Sequence, residues 1–211
     1  MTRSLLGKRV FDLVLATAGL IVLSPVLAAV SYRVWREHDG PILYRGVRAG
    51  RAGRPFIIYK FRTMVPNAER IGGPSTADND PRLTRVGLTL RRYKLDELPQ
   101  LFNIVRGDMS IVGPRPQVLE EVSGYSDEER LLLEVRPGIT DWASIRFHNE
   151  GELLRGHPDA DKAYAELIRP EKMRLSLEYV RSGTLKDDIR IVVATALVPL
   201  RSRKVKHSLA S

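Results

Sequence analysis

From residue 13 to residue 32 the chain reads LVLATAGLIVLSPVLAAVSY, with no charged position. As one straight helix rising about 1.5 Å per residue it would be roughly 30 Å long, the thickness of a bilayer's hydrocarbon core. A buried soluble helix of that length carries more polar residues on one side, so the run reads as membrane-embedded. Ser24-Pro25 falls in its middle, where proline removes a backbone hydrogen bond and kinks a helix. Cations flank both ends: Arg3, Lys8 and Arg9 before, Arg33 and Arg36 after. Lysine and arginine favour the cytoplasmic side. A helix that enters, breaks at Ser24 and Pro25 and leaves by the same face reconciles these facts, and a kinked span is the competing reading. A cleaved signal peptide fits worse, because Asp12 stands at the mouth of the run and no small-x-small site precedes the next basic cluster.

Beyond Gly40 the pattern becomes polar and mixed. PILYRGVRAG and RPFIIYKFRTM are short β-rich runs around AGRAGR, which predicts a hairpin. In the second run Ile58, Lys60 and Arg62 share one face and Ile57, Tyr59 and Phe61 the other. Two aligned cations suit a phosphate, although a solvated edge strand is the default reading. Residues 66–81, dense in Gly, Pro, Asn and Asp, predict a long loop of the kind that forms lids. Helices are expected over 83–94 and 96–105, with a turn-rich connector over 107–117. Two more are expected over 126–135 and 161–183, the second interrupted at Pro170. The last apolar run, 189–200, is too short to span but suits the interface. Arg201, Arg203, Lys204 and Lys206 come after it, where an anionic leaflet would attract them.

The length of 211 residues suits one globular domain with an appendage. The formal charge of +9, from 34 basic and 25 acidic residues, draws the surface toward polyanions, whether nucleic acid, anionic lipid or phosphorylated substrates. There is no cysteine, which excludes disulfides, thiolate metal sites and a cysteine nucleophile. His38, His148, His157 and His207 lack ligand spacing, so no zinc site is expected.

The segment Leu95-Asp96-Glu97-Leu98-Pro99-Gln100 carries the candidate chemistry. Read by itself, Asp96 is an N-cap and Glu97 a first-turn acid at the start of a helix. That reading leaves unexplained why two carboxylates sit among Arg91, Arg92 and Lys94, at a helix start that welcomes phosphate. Such a pair could hold Mg²⁺ through oxygen ligands, and the cations would keep both acids ionised. An ionised Asp can attack phosphorus and divide a difficult transfer into two steps. Gly113-Pro114-Arg115-Pro116 is a rigid turn presenting one guanidinium, whose fork suits a phosphate or else is merely solvated. Arg136-Pro137-Gly138-Ile139-Thr140 reads as a turn, with Thr140 able to cap the next element.

In order along the chain stand the apolar run with Ser24-Pro25, YKFRTM (59–64), DPRLTRVG (80–87), LDELPQLFNIVRGDMSIVGPRP (95–116) and RPGIT (136–140). Together they resemble the bacterial sugar transferase family, the monotopic phosphoglycosyl transferases. The resemblance implies an α+β, mostly helical fold. Residues 1–40 would form a re-entrant membrane helix broken at Ser24 and Pro25. Residues 41–211 would form a small catalytic domain on the cytoplasmic face of the bacterial inner membrane, with a short β-hairpin and interfacial amphipathic helices. It implies that Asp96 attacks the β-phosphorus of a UDP-sugar, releases UMP and carries the phosphosugar. Undecaprenyl phosphate then takes the phosphosugar, with Glu97 assisting. Mg²⁺ would sit at Asp96, and Lys60, Arg62, Arg91, Arg115 and Pro116 would contact the substrate. Anionic lipids are expected partners and nucleic acid is not; a homodimer stays open. The family often continues RPGIT with Gly and an Ala-Gln pair, whereas here Asp141-Trp142-Ala143-Ser144 comes next, which leaves the donor sugar open. The rival function is a membrane-tethered basic module that binds anionic lipid or nucleic acid without catalysis.

Overall fold

The computed structural model describes residues 5–37, 40–68, 71, 76–77 and 80–208, with side chains described from 6 to 198. Arg3, much of the expected lid loop, and the side chains of His38, Arg201, Arg203, Lys204, Lys206 and His207 lie outside the described residues.

The N-terminal apolar run forms two helices, α1 (Leu5–Val22) and α2 (Ser24–Glu37), which meet at Leu23 with a bend of 62°. Pro25 has no N–H to give the carbonyl of Ile21, and the Ser24 hydroxyl donates to that oxygen instead, at 2.8 Å. Serine therefore satisfies what proline leaves open.

Both ends of the bent pair are fastened to the same body. Near the start of α1, Asp12 accepts from Lys8 Nζ at 2.6 Å, and from Ser110 Oγ and the Ile111 N–H at 3.0 Å each. Arg9 donates to the carbonyls of Ile104 at 2.7 Å and Val105 at 3.0 Å. Lys8 and Arg9, flanking charges in the sequence, are thus ties to the body. Toward the end of α2, Val30 and Val34 pack with Phe61 and Leu90, and Glu37 accepts from the Val86 N–H at 2.9 Å. Between these ties Val14, Ile21, Val22 and Val26 stay exposed. Among the described residues no single helix is long and apolar enough to cross a membrane.

The hairpin forms as expected. Strand β1 (Leu43–Ala49) runs antiparallel to β2 (Pro55–Phe61), from Leu43 opposite Phe61 to Ala49 opposite Pro55. Ala52 and Gly53 turn the chain with φ of 58° and 71°. Strand β2 is not a solvated edge. Ile58 packs with Ala16, Leu101, Ile104 and Met109, and Phe61 packs on the opposite side with Val30, Val34 and Leu90. Apolar burial on both faces fixes this strand.

Helix α3 (Arg85–Arg92) begins at Thr84, whose hydroxyl accepts from the Gly87 N–H at 2.9 Å. The helix expected over 96–105 is divided into a 3-10 turn at Leu95–Glu97 and α4 (Gln100–Arg106), which ends at Gly107 with φ 95°. The connector over 107–117 contains strand β3 (Ser110–Val112). It pairs in parallel with β4 (Gly138–Thr140), residues whose sequence reads only as a turn. Between them lie α5 (Leu119–Ser123) and a 3-10 segment, Glu129–Glu134, where an α-helix was expected.

Helix α6 (Trp142–Arg146) is capped by Asp141, which accepts from the Ser144 N–H at 2.7 Å. Thr140 is not the cap; its hydroxyl meets that of Thr195 at 2.7 Å. Helices α7 (Glu150–Leu153) and α8 (Ala160–Ala163) lead to a π-turn, Tyr164–Ile168, before α9 (Arg169–Ser182). The expected interruption at Pro170 takes this form because the ring has no N–H for the preceding turn. Helix α10 (Leu185–Ser208) buries Ile191 against Val112 and Tyr179, and exposes Leu185, Ile189, Val193 and Leu197 at four-residue spacing. Among the described residues the fold is α+β, mostly helical, with two small two-stranded sheets.

Candidate active site

Lys94 adopts φ 55° and turns the chain out of α3 into the Leu95–Glu97 turn. Leu95 packs under Val34, Phe61 and Leu90, which holds the two acids against the body. Asp96 is 6% exposed and Glu97 7%. Neither acid caps a helix: no side-chain cap bond forms at the 3-10 turn or at α4. The capping reading is therefore excluded, and burial of two carboxylates calls for another cause.

Glu97 has partners. Lys60 Nζ donates to its Oε1 at 2.9 Å, and Arg115 Nη2 donates to the same oxygen at 2.6 Å. Asp96 is different, since its Oδ1 is buried and has no hydrogen-bond partner among the described residues. Burial, and then the charge of Glu97, push the Asp96 carboxyl above its ordinary value of 3.8, against the pull of Lys60, Arg91 and Lys94. For Glu97 burial is outweighed: the charges of Arg115 and Lys60, with the Arg115 hydrogen bond, hold it well below 4.5. Lys60 and Arg115 are bonded to Glu97, while Lys60, Arg91 and Lys94 pull on Asp96 without overcoming its burial, so the two environments push the acids apart, as in acid pairs with divided roles. Burial lowers Lys60, and the adjacent Glu97 raises Arg115.

Two local devices place the cations. Lys60 is set by Asn103 of α4, fully buried, whose Oδ1 accepts from the Tyr59 N–H at 3.0 Å and whose Nδ2 donates to the Ile57 carbonyl at 2.7 Å. Arg115 is set by the contact of the β3 and β4 ends. Gly113 N–H donates to the Thr140 carbonyl at 3.0 Å and Gly138 N–H to the Pro114 carbonyl at 2.9 Å. A Cβ at Gly138 would lie 2.1 Å from the Gly113 nitrogen, so only glycine allows this approach. Pro114 and Pro116 are buried on either side, while the Arg115 side chain is 40% exposed and reaches both Glu97 and solvent.

Of the residues singled out in the sequence, the fold brings Lys60, Glu97 and Arg115 into contact, with Asp96 beside them. Arg91 donates to Thr63 Oγ1 at 3.0 Å, and its charge acts on Asp96. Arg62 instead lies against Gly40. Pro116 is part of the turn that presents Arg115. The role of Asn103 was not read from the sequence, and Gly113 and Gly138 show there only as turn residues. Asn103 left a sequence signal, as a polar residue on the otherwise apolar face of Leu101 and Ile104.

The donor set bears on a metal. No group of three or more His, Cys, Asp or Glu gathers among the described residues. Mg²⁺ characteristically takes one or two carboxylates and completes its shell with phosphate oxygens and water. The open oxygen of Asp96 fits that habit.

Comparison with known proteins agrees with the motif order. A family model described as bacterial sugar transferase matches residues 3–202. The chain is 40% identical over 197 residues to the UDP-glucose:undecaprenyl-phosphate glucose-1-phosphate transferase of Escherichia coli, covering 89% of this chain and 39% of that protein. It is 39% identical over 192 residues to an Aeromonas hydrophila protein named UDP-N-acetylgalactosamine-undecaprenyl-phosphate N-acetylgalactosaminephosphotransferase, covering 89% of this chain and 42% of that one. The chain thus spans about two fifths of these relatives (39% and 42%). Against the exopolysaccharide production protein ExoY of Sinorhizobium fredii it is 36% identical over 205 residues, covering 90% of this chain and 84% of that protein.

Proposed function

The chain belongs to the bacterial sugar transferases, and from that premise we propose that it moves a sugar 1-phosphate from a UDP-sugar onto undecaprenyl phosphate and releases UMP. The observation that carries this reading is Asp96: a buried carboxylate with one oxygen that no described protein group satisfies, beside a glutamate held by two cations. A face built only to bind polyanions gains nothing from such a pair. Relatives named for glucose and for N-acetylgalactosamine both match at similar identity, so the donor sugar stays open.

In the first step a carboxylate oxygen of Asp96 bonds to the β-phosphorus. The bond from that phosphorus to the bridging oxygen breaks, and UMP departs with the electron pair. In the second, an oxygen of undecaprenyl phosphate bonds to the same phosphorus, the aspartyl bond breaks and Asp96 regains its carboxylate. Two easier transfers replace one hard one. A buried, poorly solvated carboxylate is the more reactive nucleophile, and Asp96 has that setting. Glu97, ionised beside Lys60 and Arg115, fixes both cations toward the phosphates, and their charge assists the acceptor by favouring its deprotonated form. Arg115 and Lys60 offset charge on the transferring group, and preorganised charge does most of the work in phosphoryl transfer. Bound Mg²⁺, with Asp96 as its protein ligand, would neutralise pyrophosphate charge.

The membrane placement obeys the same logic. Residues 1–40 form the anchor and 41–211 the catalytic body. The anchor enters and leaves by one face, at the cytoplasmic side of the bacterial inner membrane. Supporting it are the 62° bend and the fastening of both ends of the pair to one body, where a span would put those ends on opposite sides. The exposed row of α10 and the net charge of +9 suit contact with an anionic leaflet. The lipid acceptor then reaches Asp96 from the surface on which the enzyme sits.

The test is UMP release in Mg²⁺ from a panel of UDP-sugars with undecaprenyl phosphate. The wild type is expected to turn over at least one donor, and Asp96→Asn to fall to background while still folding and sedimenting with membranes. Undiminished turnover by Asp96→Asn would remove the nucleophile; steeply salt-dependent DNA binding without UMP release from any donor would favour the binding module.

A further inference from the structure

We propose that Gln100 is a further substrate-binding residue of this site, whose side-chain N–H donates to a non-bridging oxygen of the phosphoryl group that Asp96 attacks. This rests on the transfer proposed above.

Gln100 is the first residue of α4, 2% exposed, and its Nε2 is buried without a hydrogen-bond partner among the described residues. Buried donors are rarely left open, and one that is needs an explanation in strain, water or ligand. The backbone places it. Leu98 and Pro99 continue the turn with helical φ and ψ (−54°, −36° and −61°, −16°), so residues 96 and 100 stand one turn apart on one side of the chain. Residue 103 lies one further turn along the same side, and Asn103 grips the backbone of Ile57 and Tyr59 on β2. The side of α4 that carries Gln100 therefore faces β2, the strand whose Lys60 is bonded to Glu97. Along the chain Gln100 stands between the acid pair and the Asn103 clamp.

Two unsatisfied groups in one turn complement each other around a third party. Asp96 offers an oxygen without a donor, and Gln100 a donor without an acceptor. A phosphoryl group approached by Asp96 brings non-bridging oxygens, acceptors of the kind the amide lacks. Lys60 and Arg115 divide their charge between Glu97 and the phosphates, and a neutral donor adds a hydrogen bond to the transferring group that is not shared with that acid.

The experiment uses the full chain in detergent or lipid nanodiscs, with the wild type, Gln100→Met and Gln100→Glu compared for UMP release and for ligand-free melting. Met keeps the length and apolar stem without the donor; Glu keeps the acceptor and adds a charge facing phosphate. Gln100→Met is expected to lose about 10²-fold in kcat, the scale for one preorganised donor, with the donor KM little changed. Its ligand-free melting temperature should hold or rise, because an unpaired buried donor has been removed. Gln100→Glu should lose more. Turnover of Gln100→Met within about twofold of the wild type, or a lowered melting temperature with loss only in proportion to unfolded protein, overturns the assignment and makes Gln100 a structural residue. A wild type that releases no UMP from any donor defeats the transfer itself, and this inference with it. An active wild type with an unaffected Gln100→Met defeats the inference alone.

Discussion

Asp96 and Glu97 are adjacent in sequence and equally buried, yet their surroundings treat them oppositely. Glu97 bonds Lys60 and Arg115, whereas at Asp96 burial and the charge of Glu97 outweigh the pull of Lys60, Arg91 and Lys94. This has a measurable consequence for stability. A carboxyl whose folded-state pKa is raised binds its proton more tightly in the native state, so stability falls as pH rises from the unfolded value through the folded one. Starting from 3.8, the wild type should lose stability over that window on account of Asp96, and Asp96→Asn should not. Thermal melts across acidic to neutral pH are expected to show the variant gaining on the wild type as pH rises; parallel curves would mean that Asp96 is not held in a hostile environment. At this scale the acid pair, Lys60 and Arg115 were legible in the sequence because residue type and order carry the resemblance. The division of labour between the acids was not, since it depends on where Lys94 turns the chain and on which oxygen Arg115 reaches. Gln100 was invisible for the same reason: only packing reveals that its amide is unpaired.

Secondary elements were legible where a periodic pattern or a breaker speaks locally. The hairpin, α3, the bend at Ser24-Pro25 and the interruption before Pro170 all arise from such signals. The parallel pair β3–β4 left no comparable trace, because strands of three residues have no period and their pairing rests on two glycines far apart in sequence. Asn103 shows how elements are held in register around the site. It joins α4 to β2 by two backbone contacts and meets Asp108 at 3.3 Å. Asn103→Leu would leave the partly buried Tyr59 N–H and Ile57 carbonyl without their side-chain partner, at up to about 1–3 kcal/mol each. Chemical denaturation should show a loss within that range and, because Lys60 is carried by the same strand, reduced turnover in the protein that remains folded. A variant with unchanged stability would show that the clamp is dispensable.

For the molecule as a whole, the bent N-terminal helix pair and the rest of the chain share one core: Ala16 of α1 is fully buried with Ile58, Leu101 and Ile104. On the proposed placement, a membrane segment that is also a wall of the active domain would hold the site at a fixed height above the lipid. Re-entry makes a topological prediction, and the absence of native cysteine makes it clean to test. Single cysteines placed at Leu6 and at Arg36, both exposed, should be shielded from a membrane-impermeant thiol reagent added to the periplasmic side; labelling of either flank would replace re-entry by a span. The most direct measurement concerns the bond to phosphorus. Wild-type protein incubated with a UDP-sugar and Mg²⁺, without lipid acceptor, should release UMP in amount equal to the enzyme. Intact-mass and peptide analysis should then find one phosphosugar on the peptide carrying Asp96, removed when undecaprenyl phosphate is added. An adduct on another residue, or sustained transfer with no adduct formed, would contradict the account.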